Sequence, residues 1–345
     1  MNTHAVALAL VSAALFGLST PASKALMGSV HPTVLAGALY LGAGVGVAIL
    51  RRIRQQSSEA PVTRADVPWL ASAILFGGVA APILLMFGLA RTDAATASLL
   101  LTLEGVATAL LAWFAFHESF DRRIALGMAA LVAGAVVLAW SGTPSLSSLL
   151  GPLAIVAACV AWGLDNNLTR KVSLSDPLHI VELKGLIAGP VSILIGLAAG
   201  GTLPAITTGI MAGTIGFLGI GISLVLYVKA LRDLGTARTG AYFSTAPFLG
   251  ALASILILGE PLTVQLLIAG GLMAFGVWLH LTESHEHEHM HEAMEHAHAH
   301  VHDAHHQHIH GPDDPPGEPH SHRHAHAPLR HRHAHVPDMH HSHRH

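Results

Sequence analysis

Long charge-free stretches alternate with short charged ones along most of this chain. A helix needs about 20 apolar residues to cross the hydrocarbon of a bilayer. Residues 5–23 and 33–50 have that character without a single charge. Residues 67–90 form a third segment, and residues 94–116 a fourth that is interrupted only by Glu104. Residues 124–164 are charge-free and too long for one crossing; SGTPSLSS at 141–148 divides them into segments five and six, because Gly, Pro and Ser favour a turn. Residues 185–228 divide in the same way at GGTLP (200–204) into segments seven and eight, the seventh starting near Pro177. Residues 239–259 and 262–282 are nine and ten. The pattern then changes completely: in HEHEHMHEAMEHAHAHVHDAHHQHIH (285–310) nearly every second residue is histidine.

The pattern predicts an all-α integral membrane protein of ten transmembrane helices, followed by a disordered His-rich tail. MNTH lacks the positive n-region of a signal peptide, and the first apolar run exceeds a usual h-region, so segment one is expected to be a span. Composition agrees. Charged residues make up 11% of the chain and hydrophobic ones 52%, against roughly 25% charged in soluble domains. The single cysteine, Cys159, excludes an intrachain disulfide and a cysteine-based zinc site. Net charge is −3, split between +3 for residues 1–282 and −6 for the rest, which is no nucleic-acid footprint. Eleven Lys and Arg residues fall in or beside the loops between segments 2–3, 4–5, 6–7 and 8–9. Only Lys24, Arg91 and Lys184 lie elsewhere in the first 282 residues. The positive-inside rule then puts both termini, and the tail, in the cytoplasm, with the body in the cytoplasmic (inner) membrane.

An internal repeat is also visible. FGLSTPASK (16–24) ends segment one and WGLDNNLTR (162–170) ends segment six; HESF (117–120) follows segment four and GEPL (259–262) follows segment nine. Gly17 and Gly163 are 146 residues apart, and Glu118 and Glu260 are 142 apart. The chain therefore reads as two five-helix halves, 1–142 and 143–282, followed by the tail, 283–345. Five is odd, so the second half enters the membrane from the opposite side. Such inverted repeats give transporters two related conformations around a midplane site.

With these motifs in order in both halves, residues 5–282 resemble the EamA branch of the drug/metabolite transporter superfamily. The resemblance implies export or exchange of small metabolites across the cytoplasmic membrane, often driven by an ion gradient, and leaves the substrate open. The first half departs from the family pattern in Phe16, where Trp is commoner, and in His117–Glu118–Ser119, where Gly-Glu-Pro is expected.

Glu104 is the first candidate for chemistry. A carboxylate at the bilayer centre costs about 2.5–3.5 kcal/mol on insertion scales, so it needs a cavity or a partner. Desolvation penalises its charge, which suits a proton-coupled cycle; an internal pair with Lys184 or Lys24 is the structural alternative. Lys184 either binds an anionic group or snorkels to the interface, the second being the better reading. Glu182 and Lys184, two apart, do not share a helix face, whereas His179 and Glu182 do. Asp165, Asn166 and Asn167 end segment six, and Ser19, Thr20 and Pro21 hold the matching place in segment one; both groups line a cavity or meet headgroups. Pro82, Pro190 and Pro247 are candidate kinks. Glu118 and Glu260 each precede a helix and read as caps, with Pro261 at a first helical position. Glycines at GxxxG spacing, 42 with 46, 196 with 200 and 209 with 213, imply close helix packing and leave a homodimer open.

The tail holds 23 of the 28 histidines. With few large apolar side chains it cannot bury a core. Neutral imidazole suits Zn, Ni, Co and Cu, and His285, His287, His289, His291, His296, His298, His300, His302, His305, His306, His308 and His310 offer many overlapping His-x-His pairs. Such capture weakens as pH falls through about 6.5. A solvated tail without a metal role is the alternative. No catalytic nucleophile–base pair or nucleotide loop stands out, so the chain is not read as an enzyme, and the body requires no cofactor. The expected function is a secondary transporter, an exporter of a small metabolite or drug. The expected partners are the lipid bilayer, that small molecule and divalent metal at the tail. The alternatives are a divalent-cation exporter and a metal-buffering membrane protein that transports nothing.

Overall fold

The computed structural model describes residues 3–54, 62–116, 122–140, 146–172, 175–234, 239, 242–281, 285–291, 294–300, 320–326 and 329–335. Apolar helices dominate. The chain forms α1 (Thr3–Leu26), α2 (Pro32–Arg54), α3 (Val67–Ala73), α4 (Ala81–Leu89), α5 (Ala94–Leu100), α6 (Leu103–Phe116), α7 (Arg122–Ala139), α8 (Leu146–Arg170), α9 (Pro177–Ala198), α10 (Ile206–Gly216), α11 (Ser223–Leu234), α12 (Ala246–Leu258) and α13 (Val264–Leu281). Two π-helical stretches join pairs of these: Ile74–Ala80 links α3 to α4, and Phe217–Ile222 links α10 to α11. Among the described residues, eight helical runs are long and apolar enough to cross a bilayer, and two shorter apolar helices, Ala246–Leu258 and Val264–Leu279, follow them. The chain is thus a multi-pass membrane protein.

Apolar side chains face both ways. Leu35, Leu89, Leu100, Leu131, Ile155 and Met273 are fully buried in the core, while Phe114 is 68% exposed, Leu256 73% and Ile257 70%. In water such an outer surface would be an association hazard. In lipid it is the matching solvent, because helices satisfy their own backbone groups and leave apolar side chains to the acyl chains.

The helices pair in a regular way. α2 runs along α9, and α7 along α13. α1 packs on α11 and α12, while α8 packs on α4 and α6. Glycines set the closest approaches. A Cβ at Gly44 would lie 2.6 Å from Leu186 N, and one at Gly37 2.6 Å from Gly189 O, so α2 and α9 touch backbone to backbone. Gly42 lies against Gly213 and Gly46 against Phe217, as small residues at helix crossings do. Gly209, from the same set of spacings, meets only Pro204, and Gly200 instead makes a turn at φ +88°.

Pro190 lies within α9. Pro82 lies just after a π stretch, where a missing proline N–H leaves a preceding carbonyl without its donor, and Pro247 sits in the first turn of α12. The described parts of the tail are β1 (His285–His291), β2 (Met294–His300), β3 (His320–His326) and β4 (Leu329–His335). β1 pairs antiparallel with β4, setting His287 opposite His333, and β2 with β3, setting His298 opposite His322. The physical reason is the two-residue period of His-x-His, which matches a strand. A backbone without a core still satisfies its amides by pairing. His302, His305, His306, His308 and His310 lie outside the described residues.

Candidate functional site

The fourth span breaks at Leu101–Thr102, just before Glu104. The amides there bond three residues back: Thr102 N to Leu99 O at 3.0 Å and Glu104 N to Leu101 O at 3.1 Å. The break places the Glu104 carboxylate beside the lower part of α8. Asn166 Nδ2 donates to Glu104 Oε1 at 2.9 Å and to Thr108 Oγ1 at 3.1 Å. Thr108 Oγ1 donates in turn to Glu104 O at 2.8 Å. Asn167 Nδ2 donates to Gly163 O at 2.8 Å and Thr108 O at 3.2 Å, tying α8 to α6. A Cβ at Gly105 would meet nothing within 4 Å, and Asn166 is exposed. Open space therefore adjoins the Glu104–Asn166 pair.

The neighbouring residue, Asp165, is buried and doubly bonded. Lys184 Nζ lies 2.6 Å from each of its oxygens, and Thr169 Oγ1 donates to Oδ1 at 2.9 Å. The Lys184 side chain is only 15% exposed. Snorkelling is therefore corrected: a buried ammonium needs a partner more than it needs the interface, and Asp165 supplies it. The internal pairs considered for Glu104 are corrected too. Lys184 is taken by Asp165, and Lys24 donates to Leu89 O at 2.6 Å and Thr92 O at 2.8 Å.

The π stretch Ile74–Ala80 completes the site. Gly77 O accepts from Tyr40 Oη at 2.8 Å and from Trp162 Nε1 at 3.1 Å. A π turn shifts carbonyls out of the regular helical ladder, and such turns recur at functional sites. Gly77 itself lies directly against the Asp165 carboxylate, leaving no room for a side chain. Five helical elements, α2, the π stretch, α6, α8 and α9, thus converge with the turn before α6.

Some expected residues lie elsewhere. Ser19 Oγ donates back to Phe16 O at 2.6 Å, and its Cβ packs on Gly219 of the second π stretch. Thr20 is buried. Glu182 accepts from Arg51 Nη1 at 2.8 Å, and Arg51 Nε sits 3.2 Å from Asp176, the N-cap of α9. Glu260 caps a helix, but not its own: α13 starts only at Val264, so Pro261 is not at a first helical position, and the carboxylate accepts from Ala94 N and Ala95 N, both at 2.7 Å. Gly259, in a left-handed conformation at φ +68°, turns the loop toward that span. Glu118 lies outside the described residues. Gly17 and Gly163 are contact glycines, against Ala246 and Ala107 respectively. Among the described residues no group of three or more His, Cys, Asp or Glu is arranged to hold a metal ion.

Tyr40, Thr108 and Gly77 belong to no motif of the sequence, while Trp162 and Thr169 lie within WGLDNNLTR. The adjacent Gly77–Gly78 in an apolar segment and the lone Tyr40 were the available signals.

Comparison with known proteins shows the family and the fold. The model of the EamA-like transporter family matches twice, over residues 3–140 and 149–282. An uncharacterized transporter of Methanothermobacter thermautotrophicus is 30% identical over 282 residues, covering 76% of this chain and 82% of that protein. The uncharacterized transporter YvbV of Bacillus subtilis is 25% identical over 280 residues, covering 78% and 89%. A solved crystal structure shares the fold with a TM-score of 0.59 at 18% identity, over 80% of this chain and 95% of that one.

Proposed function

The chain belongs to the EamA-like transporter family, and from that premise we propose that it exports a small metabolite or drug by alternating access, as a proton-coupled secondary transporter. One observation carries the reading. Glu104 comes from the first matched region and Asn166 from the second, and the two bond across α6 and α8, beside the Asp165–Lys184 pair of the second region. A polar site between two halves is where rocking of one half against the other exposes cargo to alternate sides.

Three features support two inverted halves of five helices each. The family model matches twice. α8 packs on α4 and α6 as α1 packs on α11 and α12. The two π stretches, each with two glycines, face Asp165 and Ser19, the corresponding positions of the two repeated motifs. Glu104 is the coupling carboxyl: it alternates between a proton and the Asn166 amide while open space beside Gly105 receives cargo. The Asp165–Lys184 pair neutralises itself and positions α8 on α9. Orientation with both termini in the cytoplasm follows from the distribution of Lys and Arg.

The tail is a cytoplasmic metal-capturing appendage in this reading. Its histidine density supports a second one, in which the cargo is a divalent cation. A deletion strain carrying either the full chain or a chain stopped at Thr282 separates them. The metabolite reading expects both versions to release the same organic compound and to leave cell zinc, nickel, cobalt and copper unchanged. Metal content that falls with either version would overturn it in favour of cation export.

A further inference from the structure

The turn between α4 and α5 is held from two sides. Lys24, at the end of α1, donates to Leu89 O and Thr92 O, the carbonyl end of the third span. Glu260, in the turn after α12, accepts from the Ala94 and Ala95 amides, the amide end of the fourth. Each charge matches the helix end it meets: cation to exposed carbonyls, anion to exposed amides. First-turn amides have no acceptor within their own helix, so Glu260 fills a vacancy that water would otherwise fill. The two spans joined by this turn are those that carry Gly77 and Glu104. Lys24 and Glu260 share the face of the bundle opposite the C terminus, since α13 crosses once more after Gly259. On the other side of the site α2 and α9, one from each half, touch backbone to backbone over Gly37, Gly44, Gly185 and Gly189, a close contact suited to be the pivot of the halves rather than their opening. Motion that opens the site toward the face opposite the C terminus is therefore left to the α4–α5 turn.

We propose that Lys24 and Glu260 are positioning residues for transport: they latch the α4–α5 turn and keep the site shut toward the face opposite the C terminus, and cargo passes there only when both let go. The proposal rests on the alternating-access reading, and it is read by labelling rather than by transport. Cys159 is the only cysteine and is buried. In a Cys159→Ala background, Gly105→Cys places one thiol in the open space beside Glu104. A membrane-impermeant methanethiosulfonate reagent is applied to each face in turn. Glu260→Gln and Lys24→Met should each speed labelling from the face opposite the C terminus by about ten- to a hundredfold, the range for a lost charge-assisted hydrogen bond. Glu260→Asp and Lys24→Arg should stay near the parent rate. Unchanged labelling from that face, in variants still labelled normally from the other, overturns the proposal. Labelling from neither face in any version would instead sink the alternating-access reading beneath it. Hydrogen exchange in the unaltered protein needs no variant: the Ala94 and Ala95 amides should be protected as strongly as the interior of α5, and fast exchange there contradicts the latch.

Discussion

Asp165 and Lys184 show how a buried charge decides a local structure. Their pair lies between helices, where removing one partner strands the other; the cost is about 3–5 kcal/mol. Asp165→Asn should therefore lower the detergent-solubilised melting temperature markedly, and adding Lys184→Met should restore most of it. A neutral Asp165→Asn would mean that the pair does not form. Gly77 is the second residue-scale test. A methyl there collides with the Asp165 carboxylate, so Gly77→Ala should cost about 1–3 kcal/mol, while Gly271→Ala, with nothing within 4 Å of its Cβ, should be neutral or slightly stabilising. Thermal unfolding of the two variants side by side checks both. Sequence located Glu104, Asp165, Asn166 and Lys184 but not their pairing. Lys184 is 19 residues beyond Asp165, across a turn, and spacing reports faces of one helix, not contacts between two. Tyr40 and Thr108 stayed hidden for the same reason, being ordinary in an apolar segment until a neighbour arrives.

At the scale of elements, the apolar segments were legible because lipid imposes one length and one composition on all of them. Where they bend was legible only in part. Proline was the available signal, and Pro82 lies just after Ile74–Ala80; Phe217–Ile222 has no such proline, and each stretch holds two glycines. Loss of a side chain weakens the regular helix there, and carbonyls freed at Gly77 find Tyr40 and Trp162 instead of a backbone amide. The cap role of Glu260 was legible in kind and wrong in target. A carboxylate before a helix suggests its own chain's amides, while Gly259 turns the loop toward α5. The α2–α9 contact gives the prediction for this scale. Gly44→Val drives a branched side chain into the Gly185 backbone, so the variant should lose its monodisperse peak on size exclusion or melt well below the parent. Normal assembly would contradict the close packing.

For the whole molecule, the family model matches two regions within residues 3–282, and 23 of the 28 histidines follow them. The tail shares no residue with the Glu104 site, so a chain stopped at Thr282 should melt within a few degrees of the full chain. Zinc or nickel binding by equilibrium dialysis should nearly vanish in the shortened chain. In the full chain it should weaken as pH falls below about 6.5, where imidazoles protonate and stop ligating. Retained metal binding after truncation would place the ligands in the body instead. The central claim concerns Glu104 between the halves, and one measurement tests it most directly. Vesicles containing the parent or Glu104→Gln, at equal inserted amounts, are loaded with the compound that the parent releases from cells, and a proton gradient is imposed. The account predicts gradient-driven flux by the parent and none above empty vesicles by Glu104→Gln. Equal flux by the two would contradict it.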